Sequence, residues 1–160
     1  MKQETKIPTH LEAKTSLDLC LNLFTDSKAM NEADIKTAFL GISQGIQIRD
    51  YSLGAIPLVL NDYQDINTFL NLLTAIGGES AHLSAIWSAF AYEAGNKEEA
   101  FSHLNKAKEL DPSNSLAGLL FRVFGAGWPP ASFSSMRSEL HPKVVEALAD
   151  LEGVAVNENN

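Results

Sequence analysis

Apolar residues recur at intervals of three and four positions along almost the whole chain. One such set, with the spacing of a single helix face, is Leu17, Cys20, Leu21 and Phe24. No segment shows the sustained apolar–polar alternation of a half-buried strand. The apolar run 56–60 contains Pro57, and a proline inside such a run argues against a central strand. The sequence therefore predicts an all-α fold.

Capping residues and glycines indicate where the first helices begin and end. The first helix is expected to open near Thr9. Asn31 is a predicted N-cap for the second helix, and Met30 and Ile35 occupy the two positions of a hydrophobic staple around it. That helix is expected to stop at Gly45.

The later helices are placed by the same signals. The third is expected to start at Arg49 or Asp50 and to end or kink at Pro57, and a fourth is expected to run from Asp65 to Gly77. After a break at 125–130, two short helices are predicted, one through 133–140 and one through 144–148. We thus expect a flexible N-terminus (1–8), one helical domain (9–152) and a frayed tail (153–160).

Charge narrows the classes of partner. Twelve Lys and Arg stand against twenty Asp and Glu, giving a net charge of −8. An acidic chain repels phosphate backbones and anionic lipids, so neither nucleic acid nor a membrane is expected as a partner. The N-terminus has no apolar core of a signal peptide, and no apolar run approaches the ~20 residues of a membrane span. With the single Cys20, these features predict a cytoplasmic protein.

A helix pair over 81–112 has a more specific pattern. Trp87 and Ser88 are followed by Gly95, Ala100, Leu104, Ala107, Leu110 and Pro112. This succession resembles the tetratricopeptide repeat, a helix–turn–helix unit of about 34 residues with small residues where its helices touch. We expect Ser88 and Ala100 to lie at that contact.

The same spacing, applied one repeat earlier, gives a degenerate copy. Leu53 falls at the Trp87 position and Leu70 at the Leu104 position, but Ile66 replaces the small Ala100. A third copy is only partial, because prolines occupy its turn at 129–130. The resemblance implies antiparallel helical hairpins stacked as a short right-handed array with capping helices.

A second resemblance spans about 47–140. Its motifs are Ile48-Arg49-Asp50, Trp87, Tyr92 to Lys97, Ala107, Asp111-Pro112, Leu116-Ala117 and Gly127 to Pro130. They resemble the C-terminal half of an uncharacterised actinobacterial family, whose members usually carry an N-terminal α/β half that has no counterpart in this sequence. Gly95-Asn96 stands where the family usually has Gly-Asp. The resemblance implies a fold and a source but no activity.

Residues that could carry chemistry are sparse. Glu79 and His82 have the Glu-x-x-His spacing of di-iron bundles, but no second copy completes a metal site. Glu99 and His103 are expected to form a surface pair, and Cys20 is expected to be a core thiol. No nucleophile elbow and no phosphate-binding glycine loop is found. We therefore expect no metal, no cofactor and no catalytic residue.

The remaining prediction is a non-enzymatic protein-interaction module with a protein or peptide partner. The face of the repeat's first helix that is expected to be exposed carries His82, Ala85, Ala89, Tyr92 and Glu93. Our candidate partner-binding residues are His82, Tyr92, Glu93 and Trp128. The alternatives are a small helical regulatory component of toxin–antitoxin type and an enzyme whose site is not recognisable.

Two expectations concern surface aromatic and apolar residues. Trp128 lies beside two prolines and could bind a partner, but a large aromatic is more often packed, and we expect it to cover the preceding helix. In the family, the N-terminal half would cover part of the surface of the C-terminal half. If that surface is open in this chain, the helix around Val145 and the Trp128 turn are its apolar parts. We then expect a homodimer.

Overall fold

The computed structural model describes residues 7–158, with side chains described to Leu151. This part of the chain forms eight α-helices and no strand, which confirms the all-α prediction. The helices are α1 (His10–Thr25), α2 (Glu32–Gln44), α3 (Ile46–Val59), α4 (Tyr63–Gly77), α5 (Ala81–Glu93), α6 (Lys97–Leu110), α7 (Ser115–Gly125) and α8 (Pro130–Glu158).

The first two helices form a tight pair, and the predicted start near Thr9, the N-cap Asn31 and the stop at Gly45 are confirmed. Thr9 and Glu12 form a reciprocal capping box, and the Asn31 side chain accepts a hydrogen bond from the backbone N–H of Ala33. The two helices approach closely at Gly41, where an added Cβ would lie 2.3 Å from the Cβ of Ala13. A residue with a side chain at 41 would push the pair apart.

Helix α3 packs against α1, α2, α5 and α8. It begins at Ile46 rather than at Arg49 or Asp50, because Gly45 ends α2 and at once serves as the N-cap of α3. Pro57 lies in its last turn, and the helix ends two residues later at Val59. The predicted stop at Pro57 is therefore nearly correct.

The α5–α6 hairpin confirms the close helix contact predicted from small residues. Ser88 and Ala100 are completely buried, and the Ser88 hydroxyl donates a 2.7 Å hydrogen bond to the carbonyl oxygen of Ala100. Gly95 makes the turn with φ +85°, a conformation that favours glycine, while the backbone N–H of Asn96 bonds to the carbonyl of Ala91. This pair is the best-formed hairpin of the fold.

The degenerate copy does not form an equivalent hairpin. Helix α4 packs against α2 and α5 instead of forming a close pair with α3. Ile66 at the position of the small Ala100, together with Pro57 in α3, opposes the close approach that a hairpin needs. Helix α4 is joined to α5 through Trp87, whose indole N–H donates a 2.9 Å hydrogen bond to Asn67 Oδ1.

The C-terminal part differs from the prediction of two short helices. After the turn at Gly127, with φ +71°, α8 runs continuously through Pro142. A proline removes one backbone hydrogen bond, but Phe133 and Leu148 on either side are buried, and α8 packs along α3. Burial on both sides of the proline holds the helix in one piece. The expected flexible N-terminus lies mostly outside the described residues, and the expected tail (153–160) includes the last turns of α8.

Candidate functional site

A cleft of about 390 Å³ lies between α3, α7 and α8. Most of its wall is apolar, from Leu53 on α3, Leu116 and Leu119 on α7, and four residues of α8: Phe133, Met136, Leu140 and Val144. Its polar lining residues are Arg49, Asp50, Ser115, Arg122, Arg137 and His141. A concave, largely apolar space with a few polar groups is the usual form of a ligand site.

All three arginines of the chain line this cleft, each from a different helix. Arg137 binds Glu93 through two hydrogen bonds of 2.9 and 2.8 Å, and both side chains are nearly buried. Arg49 is 5% exposed, and its guanidinium lies 2.9 Å from Asp50 Oδ1. Arg122 is exposed, and no carboxylate of the described residues lies within ion-pair distance of it.

A partly buried polar network joins the cleft to the start of α5. Arg49 Nη1 contacts His82 Nδ1 at 3.4 Å and donates to Ser115 Oγ at 3.2 Å. Asn114 caps α7 through its Oδ1, so its Nδ2 is the atom that lies 2.9 Å from His82 Nδ1. Two donor groups thus point at His82 Nδ1. This nitrogen must accept their hydrogen bonds, so it carries no proton.

The electrostatic surroundings of His82 agree with that assignment. Burial, and then the positive charge of Arg49, lower the pKa of His82. The imidazole is therefore neutral at pH 7 and acts as a structural acceptor that ties α3, α5 and α7 together. His82, predicted as a partner-binding residue, is half-buried in this network.

His141 closes one side of the cleft against α3. A Cβ added at Gly54 would lie 2.0 Å from His141 Nδ1, so the ring occupies the space that any larger residue would need. His141 Nδ1 is buried and has no hydrogen-bond partner among the described residues. Burial, and then the charge of Arg137, lower the pKa of His141, so this ring is also neutral.

The expected exposed face of α5 is wrong. Ala85 and Ala89 are completely buried, and Tyr92 is only 1% exposed. Tyr92 stacks on Phe124, and its hydroxyl donates a hydrogen bond to the carbonyl oxygen of Trp128. The reason is that α5 is covered on several sides, by α6, α7, α3 and α8, whereas the first helix of an open array has one free face.

The other two candidate partner-binding residues are Trp128 and Glu93. Their exposure and contacts also differ from what was expected. Trp128 is 38% exposed, so the expected cover over the preceding helix is incomplete. Glu93 is held by Arg137 and is not a free surface carboxylate. Their predicted roles in partner binding stay predictions.

The C-terminal part of α8 carries an apolar surface that continues from the mouth of the cleft. Leu140, Val144, Ala147 and Leu151 follow one another at spacings of four, three and four residues, which places them on one helix face. We call these four residues the α8 stripe. Leu140 and Leu151 are 48% and 42% exposed, Ala147 is exposed and Val144 is half-buried.

Other clusters are structural. Glu79 forms an ion pair with Lys106, and Glu99 accepts a 2.7 Å hydrogen bond from Tyr63 and contacts His103, which stacks on Trp87. Within residues 7–151, no group of three or more His, Cys, Asp or Glu could hold a metal ion. Cys20 is buried, as predicted for a core thiol, and burial raises its pKa to about 11.

Sequence reasoning missed the cleft and the stripe. Arg49 precedes Arg122 by 73 positions and Arg137 by 88, and the three arginines meet only through the packing of three helices, so no local motif could reveal them. The stripe did have a signal, the repeated spacing from 140 to 151, but the predicted break at Pro142 divided it.

No protein-family model matches the chain, and no curated protein or solved structure is significantly similar to it. The described residues contain no helix that is long and apolar enough to cross a membrane.

Proposed function

We propose that the chain is a non-enzymatic protein-interaction module that binds a helix through the α8 stripe, and that this helix is the same one in a second copy. The exposed stripe is the observation that carries the proposal. A row of apolar residues with two exposed leucines on one helix face is unusual on a monomer, and such surfaces mark interaction sites. The polar groups of the neighbouring cleft mostly bind one another, which favours binding over catalysis.

An antiparallel pairing of two stripes buries all their side chains. The spacing of the stripe is that of the core positions of a two-stranded coiled coil. In the antiparallel arrangement, Leu140 of each copy lies opposite Leu151 of the other, and Val144 lies opposite Ala147. The small Ala147 leaves room for the β-branched Val144 at the centre.

Charges beside the stripe favour the same arrangement. Lys143 and Asp150 are exposed, and neither forms an ion pair within the described residues. Both lie on the same flank of the stripe, seven positions apart. The antiparallel pairing brings Lys143 of each copy opposite Asp150 of the other, and a flanking pair of this kind specifies partner and orientation.

The test is sedimentation equilibrium at high micromolar concentration. We expect a mass approaching twice the 17.4 kDa of one chain. Leu151→Asp should weaken association at least about tenfold, because it buries an unpaired carboxylate in the pairing. Leu58→Asp is the matched control: it replaces an exposed leucine of α3, outside the stripe, and should leave the mass unchanged. A monomeric wild-type chain, or Leu151→Asp that associates like the wild type, contradicts the proposal.

We also propose that the helices form a short tetratricopeptide-like right-handed array with capping helices. The α5–α6 hairpin, with Ser88 bonded to the Ala100 carbonyl, supports a tetratricopeptide-like unit around which the other helices pack. The acidic charge and the buried free Cys20 support a cytoplasmic setting. The resemblance to the actinobacterial family supports an origin in that group.

A further inference from the structure

The guanidinium groups of this acidic protein are concentrated in one cleft. The chain has a net charge of −8, yet its three arginines line a single cleft. Asp50, which lines the cleft, is the partner of Arg49, and Glu93, which lies outside the cleft lining, is the partner of Arg137. Arg122 has no carboxylate within ion-pair distance among residues 7–151, so its guanidinium is the one in the cleft that no carboxylate of these residues pairs with.

The space beside Arg122 is apolar and has a definite size. Leu119 lies one turn before Arg122 on α7, and Leu116, Phe133 and Met136 line the space between α7 and α8. At about 30 Å³ per water-sized group, a volume of about 390 Å³ holds about 13 non-hydrogen atoms. The cleft thus fits a small amphipathic molecule better than a polar metabolite.

We propose that this cleft binds a monocarboxylate with an unbranched apolar body of about ten carbons, a medium-chain fatty acid in chemical class. The guanidinium of Arg122 pairs with the carboxylate at the mouth, where water still reaches both groups. The hydrocarbon chain lies along Leu116, Phe133 and Met136. The cleft shares Leu140 and Val144 with the α8 stripe, but Arg122, Leu116, Phe133 and Met136, which carry this proposal, lie outside the stripe.

The single unpaired guanidinium of Arg122 favours a headgroup with one negative charge. A single unmatched guanidinium neutralises one negative charge, and its planar fork fits the two oxygens of a carboxylate. A dianion such as an alkyl phosphate would bring a second negative charge to a largely apolar cleft that is also lined by the carboxylate of Asp50. An alkyl cation would meet the unmatched arginine directly and be repelled.

Titration calorimetry with four ten-carbon probes tests the proposal. The probes are decanoate, 1-decanol, decyl phosphate and decyltrimethylammonium, all below their micelle concentrations. We expect one decanoate per chain, bound at least about tenfold more tightly than each of the other three. Equal affinity for decanoate and 1-decanol would overturn the assignment of Arg122 to the headgroup, and the absence of decanoate binding would overturn the site.

Two variants locate the bound molecule. Arg122→Gln should weaken decanoate binding about tenfold or more and leave 1-decanol unaffected, because only the ion pair is lost. Leu53→Trp fills the cleft from α3 and should abolish binding of both probes. Lys36→Gln, an exposed cation of α2 remote from the cleft, is the matched control and should bind decanoate like the wild type. Unchanged binding by Arg122→Gln, or by a folded Leu53→Trp with normal helicity, contradicts the proposal.

Discussion

The contact between Gly54 and His141 gives the sharpest stability prediction, because it joins α3 to α8 where the cleft begins. A Cβ at position 54 would lie 2.0 Å from Nδ1, 2.4 Å from Cγ and 2.8 Å from Cε1 of the His141 ring. Ordinary van der Waals contact begins at 3.4 Å, so Gly54→Ala forces the ring or the helix to move by more than an ångström. Overpacking of this kind costs about 1–3 kcal/mol.

A second helical glycine separates this packing cost from the effect of glycine itself. Gly118 lies inside α7, and an added Cβ there would meet no atom within 4 Å. Replacing a glycine inside a helix by alanine gains up to about 1 kcal/mol. This gain applies to both Gly54→Ala and Gly118→Ala. The difference between their free energies of unfolding therefore measures the cost of the clash with His141.

Urea unfolding followed by circular dichroism measures both variants. We expect Gly118→Ala to be more stable than the wild type and Gly54→Ala to be about 1–3 kcal/mol less stable than Gly118→Ala. A difference of this size corresponds to several degrees in Tm for a chain of this length. If Gly54→Ala is as stable as Gly118→Ala, the packing of α8 on α3 is not as described.

Two other predictions follow from the fold. Ala100→Leu should destabilise the protein by about 1–3 kcal/mol in the same unfolding assay, because Ala100 is completely buried against α5, whereas Ala149→Leu on the exposed side of α8 should be close to neutral. Burial lowers the pKa of His82, His103 and His141, so the unfolded chain binds more protons than the folded one below about pH 6.5. The free energy of unfolding should therefore fall as the pH is lowered from 7.5 to 6, and His82→Asn should make that fall smaller; a slope unchanged by the substitution would contradict the lowered pKa of His82.

The parts of the fold that were predicted correctly depend on local signals. The helix start near Thr9, the cap at Asn31 and the turn at Gly95 involve residues within a few positions of one another, so they can be recognised from short stretches of sequence. The Ser88–Ala100 contact was predicted from small residues at a recognised spacing. The continuity of α8 through Pro142 was not predicted, because it depends on burial against α3, which is distant in sequence.

The candidate site was harder to predict for the same reason. His82 was singled out, but as an exposed residue, and the structure instead places it half-buried in a network with Arg49 and Asn114. None of its partners lies within thirty positions of it. A residue's type and helix position do not show which other helices cover it, and this also explains the wrong expectation for Tyr92.

Mixing two charge variants tests the antiparallel pairing of α8 most directly. Lys143→Glu places negative charges at both 143 and 150, and Asp150→Lys places positive charges at both positions. Two copies of the same variant would therefore bring like charges together and repel each other. Mixed in equal amounts, one copy of each restores opposite charges at both flanking pairs. Sedimentation equilibrium should then give a mass near one chain for each variant alone and near two chains for the mixture. A mixture that sediments like its separate components would contradict the pairing.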